Sequence, residues 1–232
     1  MLTGKQFKRA FISGANNILN HRKDVDALNV FPVPDGDTGT NMSMTSSAAV
    51  RELQVVSDDE DLSIVAAKTA AALLRGARGN SGVILSLVFR GISNGFKGKK
   101  VVGGKDLAAA LTLGKESAYK AVMKPTEGTI LTVVRKAAAA AEALASDDCG
   151  AVLDEAYRAA QEALAETPEL LPVLKEAGVV DAGGQGFLYI LDGIRGYINE
   201  GKFIESNDDA SPAKSNAEES KSVVAAASGL SL

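Results

Sequence analysis

Apolar residues recur at helical spacing along nearly the whole chain, and no segment sustains the alternation of apolar and polar residues typical of a half-buried strand. Phe7, Phe11, Ile18 and Leu19, for example, lie close to one stripe of a helix. The pattern therefore predicts an all-α domain. Helices are expected at about residues 4–21, 40–55, 57–74, 81–96, 106–123, 129–145, 151–166, 167–178 and 184–199.

Short sequence signals predict where several of these helices begin or end. Thr3 and Gln6 have the spacing of a capping box for the first helix. The run from Lys124 to Gly128 breaks the pattern between two helices. Thr167 followed by Pro168 has the order of an N-cap and a first-turn proline, so we expect a new short helix there.

The segment 29–42, NVFPVPDGDTGTNM, interrupts the helical pattern and carries the clearest chemistry. Pro32 and Pro34 favour an extended backbone, which presents Asp35 and Asp37 together before the next helix begins. Carboxylates beside a helix N-terminus suit Mg²⁺ and substrate phosphates. An ordinary Asp-Gly turn has the same composition and stays open as an alternative. A calcium-binding EF-hand loop beginning at Asp35 does not fit, because it would need glycine at residue 40 and glutamate at residue 46.

Three more predicted helices begin at small or acidic residues. The glycine-spaced loop 75–82 contains two arginines and precedes a helix at Ser81, so it suits either a phosphate cradle or a turn that needs glycine. Thr129 is most simply a first-turn hydroxyl and Asp181 an N-cap. Each position taken alone has a structural explanation.

Composition narrows the class of protein. The 232 residues, 46% hydrophobic, suffice for one sizeable core. A net charge of −4 argues against a general nucleic-acid binder, and the absence of a long apolar run predicts no transmembrane segment and a cytoplasmic protein. Cys149 and His21 are the only residues of their types, which leaves oxygen atoms as the ligands of any metal.

The composition changes after residue 203. Residues 204–232 are polar, with no continuous apolar face through most of their length, which predicts a linker-like, disordered tail behind a domain at residues 1–203.

Four motifs occur in order along the chain, at residues 29–42, 75–82 (RGARGNSG), 127–132 (EGTILT) and 179–186 (VVDAGGQG). Together they resemble the dihydroxyacetone kinase L-subunit (DhaL) family, and most closely the N-terminal ATP-binding domain of bacterial fatty acid kinase. The resemblance covers about residues 1–203. Thr38 stands where the dihydroxyacetone enzymes carry histidine, which favours the fatty acid branch.

The resemblance implies a barrel of about eight antiparallel amphipathic helices, with ATP and two Mg²⁺ ions at one end. It assigns Asp35 and Asp37 as catalytic, metal-binding residues, and Asn29 stands nearest to a third metal-binding position of the family. The implied nucleotide-binding residues are Thr38, Thr40, Asn41, Asn80, Ser81, Gly82, Thr129, Asp181 and Gly183.

The implied reaction transfers the γ-phosphate of Mg-ATP to a fatty acid carboxylate presented by a separate fatty-acid-binding protein, giving acyl phosphate. A carboxylate is already ionised at neutral pH and needs no general base. Because the chain ends in a linker-like tail, we expect further domains, a homodimer formed through them, and weak turnover by this domain alone. The alternatives are a non-catalytic Mg-nucleotide-binding module and a dihydroxyacetone-type kinase subunit.

Overall fold

The computed structural model describes residues 1–207, which form ten helices and two short strands. The prediction of an all-α fold is confirmed. In chain order the elements are β1 (Leu2–Thr3), α1 (Gly4–Asn20), α2 (Arg22–Ala27), α3 (Thr38–Gln54), α4 (Leu62–Arg75), α5 (Gly79–Gly95), β2 (Val101–Val102), α6 (Gly104–Ala121), α7 (Ile130–Leu144), α8 (Cys149–Leu170), α9 (Pro172–Ala177) and α10 (Ala182–Glu200).

The eight long helices form a closed ring. Each packs on the next long helix along the chain, from α1 to α3 and so on through α4, α5, α6, α7 and α8 to α10, and α10 packs back on α1. This order is that of a barrel of eight helices, as expected. Each long helix places an apolar stripe toward the common core, where Phe11 meets Phe89 edge to face with 5.1 Å between ring centres.

The helices alternate in direction around the ring. Gly4 at the start of α1 lies against the main chain of Glu60 and Leu62 at the start of α4, and Gly104 at the start of α6 lies against the main chain just before α8. The antiparallel pairing of β1 with β2 joins the same region. We call this the ribbon end. The helices α3, α5, α7 and α10 begin at the opposite end, which we call the loop end.

The structure corrects the prediction of a new helix at Thr167. Helix α8 continues through Thr167 and Pro168 to Leu170. Proline lacks the N–H that would reach the carbonyl of Leu164, four residues earlier. The Thr167 hydroxyl donates to that carbonyl instead, at 2.7 Å, so the helix survives the proline. The separate short helix, α9, begins at Pro172 rather than at Thr167.

Two further features were not predicted. The six-residue helix α2 follows α1 directly, and α3 begins at Thr38, two residues earlier than expected. The predicted capping box of α1 is present, with Thr3 and Gln6 each accepting from the other's main-chain N–H.

Residues 204–207 lie along α1. The main-chain N–H of Ile204 donates to Ser13 Oγ, and that of Asn207 donates to Asn20 Oδ1. The remainder of the predicted tail, 208–232, lies outside the described residues, so the domain boundary at residue 203 stays a prediction. None of the helices within residues 1–207 combines the length and apolarity needed to cross a bilayer.

Candidate functional site

The loop before α3 is held in shape by the side chain of Asn29. Its Nδ2 donates to the carbonyl of Val33 at 3.0 Å, and its Oδ1 accepts from the main-chain N–H of Asp37 at 3.1 Å. Asn29 is buried, whereas Asp35 is exposed and Asp37 is half-buried. The Asn29 amide therefore braces the turn that presents both carboxylates. Metal binding by Asn29 remains a prediction.

Asp37 occupies the N-cap position of α3, but its carboxylate makes no capping hydrogen bond. The capping acceptor is Asp26, from α2. It accepts from the Thr40 main-chain N–H at 2.9 Å and from the Thr40 hydroxyl at 2.7 Å. A cap normally satisfies free N–H groups in the first helical turn. Because Asp26 takes this role, the Asp37 carboxylate is left available.

Neither Asp35 nor Asp37 has a side-chain hydrogen bond or an ion pair with any other residue in the range 1–207. The same part of the chain contains no group of three or more histidine, cysteine or acidic side chains arranged to hold a metal. Oxygen donors from water or phosphate would complete the coordination of an ion held by this pair, which is the usual arrangement for Mg²⁺.

Helix α5 begins directly beside α3. Gly79 has φ +58°, which favours glycine, and a Cβ there would lie 2.5 Å from Asn41 Nδ2, so a larger residue would displace the Asn41 amide. Gly82 is equally crowded, since a Cβ would lie 2.3 Å from Thr45 Oγ1. That hydroxyl also accepts from the main-chain N–H of Arg78 at 3.0 Å. These close contacts bring the two helix N-termini together.

Two adjoining cavities open at this end of the barrel. The smaller, of about 170 Å³, is polar and is lined by Asp35, Asp37, Asn29, Asn41 and Gly79 among others. The larger, of about 450 Å³, has an apolar wall formed by Val83, Ile84, Leu87, Val122, Ile130 and Leu131. Pro32, Thr38, Asn80 and Ser81 line both cavities. We call the smaller cavity the acidic compartment and the larger one the apolar compartment.

The far side of the apolar compartment is formed by the N-termini of α7 and α10. Thr129 caps α7, and Asp181 caps α10 by accepting from the Gly184 N–H at 2.7 Å. Burial raises the pKa of the Asp181 carboxyl to about 6, against the lowering effect of main-chain hydrogen bonds from Gly184 and Ile130. Asp181 is only 5% exposed and its main-chain N–H donates to Thr167. It thus ties α10 to the end of α8.

Four helix N-termini meet around the two compartments, those of α3, α5, α7 and α10. The unpaired N–H groups and the dipole of each helix favour negative charge at this end. The site thus offers an electropositive main-chain surface, two free carboxylates and an apolar compartment side by side. That combination suits a ligand with an anionic part, a bound cation and a flat apolar part.

The structure brings most of the predicted residues to this site. Asn29, Asp35, Asp37 and Asn41 line the acidic compartment, Thr129, Asp181 and Gly183 line the apolar one, and Thr38, Asn80 and Ser81 line both. Thr40 and Gly82 line neither. Their proximity to phosphate stays a prediction, and the observed contacts of each are with neighbouring helices.

Other candidate groups lie elsewhere. Arg78 lines a separate outer groove with Arg51 and Arg75. His21 lies at the end of α1, as expected, with its ring stacked on Tyr189 at 4.2 Å between ring centres. Sequence reasoning missed Asp26, because its partner Thr40 is 14 residues away and no local capping pattern connects them.

The fold and site define a helical barrel with an anion-attracting end, and the comparison of sequences places that barrel in a family. A match to the DAK2 domain family spans residues 32–196. The chain belongs to this family of DhaL-like, ATP-binding kinase domains, which confirms the resemblance seen in its motifs.

Relatives of known sequence agree with this assignment. The chain is 50% identical over 194 residues to protein YloV of Bacillus subtilis, a match that covers 83% of this chain and 35% of that protein. An uncharacterised protein of Staphylococcus saprophyticus is 46% identical with the same coverage. The chain thus spans about a third of the length of these relatives.

Solved structures share the fold. The dihydroxyacetone kinase from C. freundii in complex with AMP-PNP and Mg²⁺ matches with a TM-score of 0.62 and 19% identity, over 82% of this chain and 33% of that one. The native form of the same enzyme matches with a TM-score of 0.57 and 22% identity.

Proposed function

We propose that this domain binds Mg-ATP at the loop end of the barrel and supplies the γ-phosphate for transfer to a fatty acid carboxylate, giving acyl phosphate. The observation that carries the proposal is the state of Asp37. It stands at an N-cap, yet Asp26 caps the helix in its place, which frees a carboxylate beside Asp35 and four helix N-termini. The solved C. freundii kinase with this fold was crystallised with AMP-PNP and Mg²⁺, which supports the same ligands here.

The two compartments suit the two parts of a nucleotide. The phosphates would lie at the junction, where Thr38, Asn80 and Ser81 supply hydroxyl and amide groups and the starts of α3 and α5 supply main-chain N–H groups. The base would occupy the apolar compartment between Ile84 on α5 and Ile130 on α7.

Asp35 and Asp37 are the residues that would hold Mg²⁺ in the acidic compartment, and Asn29 braces the loop that carries them through its bonds to Val33 and Asp37. When bound, Mg²⁺, two ions by the family resemblance, would neutralise phosphate charge and polarise the transferring group. The residues of the chain contribute mainly by positioning, since phosphoryl transfer needs little covalent participation from the protein.

The acceptor would approach from solvent, because Asp35 and the neighbouring Val33 are exposed on the outer side of the acidic compartment. We propose that a separate fatty-acid-binding protein presents the carboxylate there. A carboxylate is already ionised near pH 7, so no general base is required. The only histidine of the chain, His21, lies outside both compartments, in keeping with such an acceptor.

The test is a transfer assay with the full-length protein, γ-labelled Mg-ATP and a fatty acid on its carrier, using hydroxylamine to trap acyl phosphate. We expect acyl hydroxamate in step with ADP. The variant Asp35→Asn/Asp37→Asn should lose at least about a hundredfold of this rate, as expected when groups that stabilise transferred charge are removed. Asp147→Asn, a change at the ribbon end, should leave it intact.

Other outcomes would reject the proposal in different ways. Nucleotide binding without transfer to any acceptor would assign the domain as a binding or regulatory module. Labelling of dihydroxyacetone in the presence of a sugar-binding partner, with no acyl hydroxamate, would assign it to the dihydroxyacetone branch.

A further inference from the structure

A polar network outside both compartments surrounds Glu127, just before α7. Glu127 Oε2 accepts from the Thr132 hydroxyl at 2.7 Å and from Arg135 Nη2 at 2.8 Å. Its Oε1 accepts from the Tyr119 hydroxyl at 3.0 Å, and Arg135 Nε donates to the same hydroxyl at 3.2 Å. One carboxylate thus joins α6, the following connection and α7.

The network also controls the main chain next to it. The buried Thr132 hydroxyl accepts from the Gly128 N–H at 2.8 Å. Gly128 has φ +81°, and a Cβ there would lie 2.8 Å from Leu171 Cβ. The main chain at Gly128 therefore packs closely against the end of α8. The conformation of residue 128 is therefore set from two sides.

Residues 122–129, which we call the α6–α7 segment, have no regular secondary structure, yet they form one wall of the apolar compartment. Val122, Lys124, Thr126 and Thr129 line the cavity. A segment without helical hydrogen bonds keeps one shape only if other contacts hold it. Within the segment, the Thr129 hydroxyl donates to the Thr126 carbonyl at 2.7 Å, and Val122 packs against the core. The contacts that join its middle to other helices are those of Glu127 and the close approach of Gly128 to the end of α8.

We propose that Glu127, Tyr119 and Arg135 are positioning residues that hold the α6–α7 segment as the wall of the base-binding compartment. In this role they set affinity for the nucleoside part of the ligand and leave the phosphate end unchanged. The inference rests on the proposed function, because it takes the apolar compartment as the site of the base.

The ionisation of Glu127 allows its hydrogen bonds to persist at neutral pH. Burial raises the pKa of Glu127, but hydrogen bonds from Thr132, Arg135 and Tyr119 together hold that pKa below its ordinary value. Glu127 therefore stays ionised and retains its three donors throughout the neutral range. Charged hydrogen bonds of this kind are stronger than neutral ones, which suits a fixed wall.

The test separates the two parts of the nucleotide. Binding of Mg-ATP and of Mg-tripolyphosphate, which has three phosphates and no nucleoside, is measured by calorimetry on the full-length protein. We expect Glu127→Gln to weaken Mg-ATP binding by about fivefold to tenfold, the usual effect of losing charge-assisted hydrogen bonds, and to leave Mg-tripolyphosphate within about twofold. In turnover, KM for ATP should rise while kcat is unchanged.

Two further variants keep the test decisive. Tyr119→Phe retains the ring and removes only the hydroxyl, so it should show the same selectivity with a smaller loss even if Glu127→Gln folds poorly. Glu155→Gln is the matched control, because it breaks a surface contact with Arg158 on α8, outside both compartments. It should change neither affinity.

The inference would be overturned if a variant bound Mg-ATP and Mg-tripolyphosphate with equally reduced affinity. It would also be overturned if a variant lost stability but kept its affinity for Mg-ATP. Failure of the unaltered protein to bind Mg-ATP at all would overturn the proposed function and this inference with it. Unchanged binding in the variants alongside normal binding by the unaltered protein would reject the inference alone.

Discussion

The two ends of the barrel are built from the same helices, but the acidic side chains near the helix starts have different partners at each end. Four helices begin at each end, so both ends present main-chain N–H groups and the positive ends of helix dipoles. At the ribbon end, four of the acids near these helix starts are paired with lysines. The pairs are Asp58 with Lys5 and Lys8, Asp61 with Lys100, Asp106 with Lys99, and Asp147 with Lys105.

At the loop end, Asp35 and Asp37 have no such partner among the described residues. The ribbon end is also closed by the pairing of β1 with β2 and by local caps from Thr3 and Asp148. The comparison shows that acids near helix starts do not by themselves make a site. What distinguishes the loop end is that two neighbouring carboxylates line one cavity without an ion pair within residues 1–207, and that one of them, Asp37, stands at an N-cap position whose capping contact is supplied from α2.

Among single substitutions that compare the two ends, the largest expected effect on nucleotide binding comes from Gly79→Ala at the loop end, compared with Gly98→Ala near the ribbon end. Both glycines have positive φ, so both substitutions cost about 1 kcal/mol of backbone strain. Only at Gly79 would the new methyl collide with Asn41, since nothing lies within 4 Å of the position at Gly98. Nucleotide affinity measured by calorimetry should fall at least about tenfold for Gly79→Ala alone. Equal loss in both variants would remove the special status of the loop end.

The second comparison removes one cap from each end. Asp26→Ala takes away the cap of α3, and Asp148→Ala takes away the cap of α8, where Asp148 Oδ1 accepts from the Gly150 N–H at 3.0 Å. Each should lower the free energy of unfolding in urea by about 1–2 kcal/mol. Asp26→Ala should also weaken nucleotide binding, because the start of α3 is freed. If Asp148→Ala weakened binding equally, the effect would be one of general stability.

The third prediction concerns the pH dependence of the loop end. The folded pKa of Asp181, about 6, lies above the ordinary value of 3.8, so between these values the folded state binds more protons than the unfolded state. Ionisation of Asp181 therefore lowers the free energy of unfolding as the pH rises through this range. The Asp181→Asn variant should lack this decrease, so its free energy of unfolding relative to the unaltered protein should improve by about 1 kcal/mol from pH 5 to pH 7. A constant difference across that range would contradict the assignment.

The smallest effect is expected at the ribbon end. Lys105 and Asp147 form an exposed pair with 3.3 Å between Nζ and Oδ2. Lys105→Ala should change the free energy of unfolding by less than about 0.5 kcal/mol, because exposed pairs are weak and screened by salt. The freed Asp147 should not create a second Mg²⁺-dependent nucleotide site. Such a site in calorimetric titrations would mean that an unpaired acid is sufficient.

Much of the fold could be predicted because its causes are local. Helical periodicity and the Thr3 capping box act within a few residues, so α1 was predicted nearly to its ends. The continuation of α8 could not be predicted in this way, because Thr167-Pro168 has the pattern of a helix start. What keeps the helix intact is the Thr167 hydroxyl bonded to the Leu164 carbonyl, and that side chain also accepts from Asp181 on another element.

The same distinction between local and long-range causes applies to the residues of the site. Pro32, Asp35 and Asp37 were evident from their own loop, whereas Asp26 acts on a residue far along the chain. Glu127 was noted as part of a motif, but its partners on α6 and α7 become visible only when the barrel closes. Tertiary hydrogen bonds of this kind leave no periodic or motif signature in a single sequence.

The most direct measurement is a calorimetric titration of ATP, with and without Mg²⁺, into the unaltered protein and two double variants, Asp35→Asn/Asp37→Asn and Asp106→Asn/Asp147→Asn. We predict Mg²⁺-dependent binding that is lost in the first variant and retained in the second, although both lose two acids near helix starts. Mg²⁺-dependent binding that survived in the first variant, or disappeared equally in both, would contradict the assignment of the loop end as the nucleotide site.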